Sequence, residues 1–321
     1  MKAEAVQFLR NLKENPKIIS HNDADGICSL AILLHYLNKK GINANYELTE
    51  VPIKHVNKES TMIFLDISLD NALRFASEIT LVIDHHLFDK RPDMPFYNPR
   101  ETDEKSYIPA SYLIYEVCSE LEDMEEVKWI ACAGIIGDKG DKNSEICKKF
   151  VDSLDDYENL SLVSDHIFSA DLVDNIDGDY KALEIVKNAK SAKELLHDPY
   201  LSECYDEVQK ELSNYKNKLE REDKIIFVEV ESRYNIKSII ASRLLDKNKN
   251  IIVVAYSTYN DAYNISLRTN TDINLGAISK KVAGLCGGDG GGHEKAAGAK
   301  VSKSKFPVFR EEFVSEVEKC A

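Results

Sequence analysis

The densest run of chemistry-bearing residues in this sequence is Ser20-His21-Asn22-Asp23-Ala24-Asp25-Gly26. His21, Asp23 and Asp25 stand at alternate positions, and alternate side chains of an extended segment share a face. The three could therefore converge on one cation, with Gly26 allowing a close backbone turn. Three further stretches have the same character: Asp66 in Leu65-Asp66-Ile67-Ser68, Asp84-His85-His86 after Val82-Ile83, and Asp138 in Gly134-Ile135-Ile136-Gly137-Asp138-Lys139-Gly140. Each has a plainer reading in isolation. An acid between strand and helix is often a helix cap, although Ser68 or Asp70 could serve in place of Asp66. Two adjacent histidines after an apolar run are rarely both core residues, and capping does not account for all four segments together.

Clustered carboxylates raise one another's pKa unless a cation sits among them. Oxygen ligands with one or two imidazoles suit manganese or magnesium. The seven cysteines are scattered singly, with no spacing for a zinc site or a CxxC pair, and an odd count is a poor disulfide framework. Two cations roughly 3.5–4 Å apart can clamp a phosphate, lower the pKa of a water between them and stabilise the leaving oxygen.

Short apolar runs and helical patterns must position these residues. Residues 17–20, 62–66 and 79–84 read as strands, and 3–14, 27–40, 109–121 and 127–137 as helices. Strands separated by helices predict a parallel sheet, whose functional residues gather beyond the carboxyl ends of the strands. Residues 141–223 turn polar, acidic and helical. Within them Leu201, Tyr205, Val208, Leu212, Tyr215 and Leu219 form a heptad stripe, either packed on its own chain or serving as a seam for a homodimer or another partner. Alternation returns from Lys224: strands at 225–232, 251–257 and 262–269, helices at 238–247 and 273–284, a glycine-rich loop at 287–299 and a last helix after Phe306. The expected fold class is α/β, with a parallel-sheet catalytic domain (1–140), a helical linker region (141–223) and a smaller α/β domain (224–321).

The 321-residue chain carries a net charge of −14, unevenly spread. From Lys224 onward it has 15 basic and 11 acidic residues, net +4; the preceding 223 residues have 26 and 44, net −18. Such acidity disfavours non-specific binding of long nucleic acid, so an anionic substrate would be held through metals or through the C-terminal part. No apolar run approaches the roughly 18 residues of a membrane span. The N-terminal residues carry no apolar signal core, so a cytoplasmic location with reduced thiols and no membrane partner is expected.

Asp84-His85-His86, with His21-Asn22-Asp23-Ala24-Asp25-Gly26 upstream, resembles the DHH phosphoesterase superfamily. Gly290-Gly291-Gly292-His293 followed by Ala296-Ala297-Gly298 resembles its associated DHHA1 domain, and Ser242-Arg243 adds a likeness to RecJ-like exonucleases, archaeal relatives included. The resemblance implies two manganese ions, with magnesium as the other option. His21 and Asp23 would hold one, Asp25, His85 and Asp138 the other, and Asp66 would bridge them. His86 would contact the scissile phosphate, and Asp84 would support a histidine from behind. Gly290, Gly291, Gly292 and His293 would hold the nucleotide end of the substrate. Arg268, near the end of Ile265-Ser266-Leu267-Arg268-Thr269, is the natural phosphate fork, with Lys295 a weaker candidate and an exposed strand charge the plainer reading. The glycine segment lacks the GxxxxGK[ST] order of an ATP-binding loop. The expected reaction is direct attack of a metal-bridging hydroxide on phosphorus, releasing nucleoside monophosphates from ends of single-stranded DNA or RNA. The alternative is a phosphodiesterase for cyclic or linear dinucleotides. A non-catalytic replication scaffold would have decayed metal motifs, and a family II pyrophosphatase would not be expected to carry the GGGH segment. Helicase or replisome components are the partners the resemblance implies, with the 201–219 stripe as the contact surface.

Overall fold

A computed structural model describes residues 2–214 and 219–320. The chain divides into two compact units, residues 1–206 and 207–321.

The first unit opens with α1 (Lys2–Asn11), β1 (Lys17–His21), α2 (Ala24–Lys39), β2 (Asn45–Thr49), β3 (Thr61–Leu65), α3 (Leu69–Leu73), β4 (Ile79–Ile83) and β5 (Phe96–Tyr97). The five strands form a sheet ordered β2-β1-β3-β4-β5, every pair parallel. β3 is buried throughout and β4 nearly so, the continuous apolar pattern of strands covered on both faces. In register, Ser20 lies opposite Leu65 and Leu65 opposite Ile83. The carboxyl ends of β1, β3 and β4 are therefore level, and the next residues, His21, Asp66 and Asp84, emerge side by side.

Helices α4 (Ala110–Ser119), α5 (Lys128–Gly137), α6 (Gly140–Asn143), α7 (Glu145–Asp152), α8 (Tyr157–Asp174), α9 (Ile176–Asn188) and α10 (Ala192–Leu195) follow. Leu160, Val163 and Ile167 of α8 and Leu183 and Val186 of α9 share one apolar core with Ile27 and Leu30 of α2. Much of the stretch expected as a linker is thus built into the first unit. α11 (Pro199–Ser213) buries Leu201, Val208 and Leu212, and Tyr205 stacks flat on His166 at 4.3 Å. These positions of the stripe are thus packed within the chain, the first of its two readings. Of its remaining positions, Leu219 is an exposed strand residue, and Tyr215 lies outside the described residues.

The second unit contains β6 (Leu219–Glu222), β7 (Ile225–Glu229), α12 (Lys237–Asp246), β8 (Ile252–Tyr259), β9 (Ala262–Thr269), α13 (Leu275–Leu285), β10 (Asp289–Gly292), β11 (Ala296–Ser302) and α14 (Phe306–Lys319). Its sheet is mixed, ordered β10-β11-β9-β8-β7-β6, with only β7–β8 parallel. Ile252, Val254, Ile265 and Leu267 pack with Phe309 and Phe313, large side chains each worth about 1.5–3 kcal/mol when fully buried. The segment expected as a glycine loop is instead a β-hairpin, β10–β11. Close packing explains part of its glycine content: a Cβ on Gly290 would meet the Ser279 carbonyl oxygen of α13 at 2.7 Å. Among the described residues no helix is long and apolar enough to cross a membrane.

Candidate metal centre

The turn between β1 and α2 carries the first ligand candidates. Asp23 caps α2, its Oδ1 accepting from the Gly26 amide at 2.9 Å, while its Oδ2 lies 3.0 Å from His21 Nδ1. The capping reading thus holds for one oxygen of this carboxylate, and the other is left beside the His21 ring. Only glycine fits at 26, because a Cβ there would meet the His21 carbonyl oxygen at 2.2 Å. Asp25, buried at the start of α2, accepts the Ala110 and Ser111 amides at 2.7 and 3.0 Å, so the first turn of α4 is fastened to it.

Asp66 follows β3 in the left-handed region, at φ 54°, a conformation non-glycine residues adopt at a cost of about 1–3 kcal/mol, concentrated at functional sites. Its Oδ2 lies 3.3 Å from His21 Nδ1, and its Oδ1 lies 3.3 Å from His85 Nε2. Oδ1 makes no hydrogen bond although it is buried, an arrangement that leaves an acceptor for a cation. His85 Nε2 also lies 3.5 Å from Asp138 Oδ2. Asp138 comes from the C-terminal cap of α5, not from a strand.

Three sets of donor atoms lie close enough to share an ion, each within 4.8 Å: His21, Asp23 and Asp66; Asp25, His85 and Asp138; and Asp66, His85 and His86. The first two sets adjoin through Asp66, which presents one oxygen to each histidine. The donor chemistry, imidazole nitrogens with carboxylate oxygens and no thiolate, fits hard divalent cations.

The electrostatics of the unbridged side chains point the same way. Burial would lower the His21 and His85 pKa values, but their carboxylate neighbours outweigh it and raise them to about 11 and about 10. Burial would raise Asp66, yet the two histidines hold it well below the ordinary carboxylate range. Burial, reinforced by Asp66 and Asp138, pushes Asp25 well above it. Burial also lifts Asp138 to about 6, against the opposing charge of His85. A divalent cation would replace these protons.

Asp84 is wholly buried and reaches no ligand set; its Oδ1 lies 2.7 Å from His86 Nδ1 and its Oδ2 accepts the His86 amide at 3.1 Å. It aims the half-exposed His86 ring. Sequence reasoning missed the residues behind these groups. Asn98 donates to the His86 carbonyl at 2.8 Å, Arg100 Nε donates to the His85 carbonyl at 2.7 Å, and the Tyr107 hydroxyl donates to Asp138 Oδ2 at 2.8 Å. Each lies between β5 and α4, where no motif or periodicity marks it.

The remaining candidates belong to the second unit. Arg268 on β9 faces Ala296 in register. Its guanidinium is partly buried, donates to the Leu267 carbonyl at 2.9 Å, and has no carboxylate partner among the described residues. Burial lowers its pKa. Lys295 is engaged by the Thr271 carbonyl and lies 3.4 Å from Asp272. Gly291 and Gly292 have positive φ, and a Cβ on Gly291 would meet nothing. The His293 amide donates to the Ala296 carbonyl at 2.8 Å, closing the hairpin.

Comparison with known proteins matches this layout. Residues 17–137 match the DHH family, N-terminal domain, and residues 222–319 match the DHHA1 domain. The chain belongs to the DHH family, with a DHHA1 domain following its DHH domain. RecJ from Thermus thermophilus in complex with Mn2+ is similar over 99% of this chain and 54% of its own, with a TM-score of 0.70 and 18% identity. This chain thus spans about half the length of that relative. The pGpG-specific phosphodiesterase PggH from Vibrio is similar over 95% of this chain and 99% of its own (TM-score 0.63, 15% identity). CDC45 from Entamoeba histolytica is similar over 97% and 98% (TM-score 0.62, 10% identity). At these identities the likeness is one of fold. No curated protein sequence matches the chain.

Proposed function

We propose that this protein is a metal-dependent phosphodiesterase that releases nucleoside monophosphates from the ends of single-stranded DNA or RNA. The observation that carries the reading is the Asp66 carboxylate, buried, strained and directed with one oxygen toward each of two histidine–carboxylate sets. His21 and Asp23 would hold one cation, Asp25, His85 and Asp138 the other, and Asp66 both; manganese is the proposed ion, with magnesium the alternative. When bound, the pair supplies Lewis-acid polarisation of a phosphoryl oxygen and a water of lowered pKa.

The chain's own residues do the rest. His86, oriented by Asp84 and half-exposed, would contact the scissile phosphate. Tyr107 steadies Asp138, and burial keeps its phenol protonated as a donor. In the second unit, Arg268 is an unneutralised, partly desolvated cation suited to a phosphate, and Gly290, Gly291, Gly292 and His293 form the hairpin that would take the nucleotide end. A cytoplasmic setting belongs to this reading.

A second reading, a phosphodiesterase for cyclic or linear dinucleotides, is favoured by charge: the first 223 residues carry a net −18, which disfavours the binding of long strands. One assay separates the two: a labelled single-stranded 30-mer of DNA, the same of RNA, and a linear dinucleotide, each with manganese and with magnesium. Stepwise shortening of the strands supports the exonuclease; hydrolysis of the dinucleotide alone supports the second reading; no hydrolysis with either metal overturns both.

A further inference from the structure

We infer that Asp179 is a positioning residue for the metal centre: through Asn22 it sets the loop that presents His21 and Asp23. The inference rests on the reading of that loop as a metal site. Asn22 stands between the two ligand candidates, and its Nδ2 donates to Asp179 Oδ2 at 2.8 Å, with both side chains buried. Asp179 sits on α9, well past the residues 17–137 matched by the DHH model.

A buried carboxylate is costly unless paired. Among the described residues no lysine or arginine pairs with Asp179, and its Oδ1 is buried without a hydrogen bond. Fold stability therefore does not explain why a carboxylate stands there.

The adjacent backbone is shaped to put it there. Asn175 joins α8 to α9 at φ 53°, ψ −139°, outside the favoured regions for a residue with a Cβ. Three residues on, a Cβ on Gly178 would meet the Ala170 carbonyl oxygen at 2.1 Å, so α9 approaches α8 at a separation only glycine permits. The kink and the contact are both unfavourable locally, and both serve one result, the seating of the next residue, Asp179, beneath Asn22. With its amide held there, the loop keeps His21 and Asp23 turned toward Asp66.

The test is calorimetric titration of manganese chloride into the wild type, Asp179→Leu and Asp179→Asn, with circular-dichroism melts of each before metal is added. Leucine keeps the branched shape without a hydrogen bond; asparagine can still pair with Asn22 through its own amide oxygen. The expected result is two ions in the wild type, one of them bound about 10–100-fold more weakly by Asp179→Leu, the usual effect of losing an outer support of a ligand, and near-normal binding by Asp179→Asn. Unaltered binding by a folded Asp179→Leu overturns the inference, as does equal weakening in both variants. Should Asp179→Leu not fold, Asn22→Ala decides: weakening of one ion supports the inference and unaltered binding overturns it. A wild type that binds no ion overturns the metal-centre reading, and this inference with it, which is distinct from the case of two ions in every protein.

Discussion

The two units place charge in opposite ways. The first gathers carboxylates and histidines from β1, β3, β4, α2 and α5 into one buried cluster, where each histidine is already paired with acids. The second leaves a guanidinium, Arg268, partly buried with no acid beside it among the described residues. A surplus of buried negative charge is a request for cations, and an unpaired buried cation is a request for an anion. On the proposed function, the difference teaches that an acidic protein need not repel a phosphate substrate: one unit would meet it through bound ions and the other through arginine.

That contrast breaks most severely at Asp66. Asp66→Ala should cut hydrolysis on the order of a thousandfold or more, several kcal/mol of transition-state stabilisation, and lower manganese occupancy. Normal turnover in this variant would remove the idea that one carboxylate serves both ligand sets. Next in size is pH. His21 and His85, raised to about 11 and about 10, carry protons at neutral pH, and ligation requires them neutral. Cation binding must therefore release protons, and manganese affinity should rise with pH by about tenfold or more per unit below their pKa values. Calorimetry in buffers of differing ionisation enthalpy measures that release directly; none would contradict the assignment of the histidines.

The second unit should respond differently. Arg268→Ala should raise KM about tenfold, the worth of one charge-assisted hydrogen bond, while leaving manganese affinity alone. An unaltered KM would show that the arginine is only a strand charge. The smallest effect sharpens the hairpin. Gly290→Ala would push a Cβ into α13 and should lower thermal stability, whereas Gly291→Ala meets no atom and should cost only about 1 kcal/mol for its positive φ. If Gly291→Ala nevertheless weakens substrate binding, its open face is a contact surface. If both melts shift equally, the packing distinction between the two glycines fails.

Much of the first unit was legible because its strands are continuous apolar runs that end abruptly in a charged residue, as at Leu65-Asp66 and Ile83-Asp84. Five strands escaped notice, and three of them, β2, β5 and β6, are edge elements with no apolar run to announce them. The hairpin at 289–302 was hidden because glycine and alanine carry no strand signal; β11 is held in register by its pairing with β9. Of the metal candidates, His21, Asp23, Asp25, Asp66, His85 and Asp138 stood out by type and placement. Asn98, Arg100, Tyr107 and Asp179 did not, because each acts only through a partner distant in sequence, and polarity in a loop or helix is ordinary.

The grip of Asp25 on the amides of Ala110 and Ser111 has a consequence well away from any substrate. The carboxylate proposed as an ion ligand also holds the opening turn of α4, so the strength of those two bonds would answer to how much of its electron density a cation withdraws. Nuclear magnetic resonance shifts and solvent exchange at these two backbone protons would therefore serve as a built-in gauge of loading, legible without any turnover.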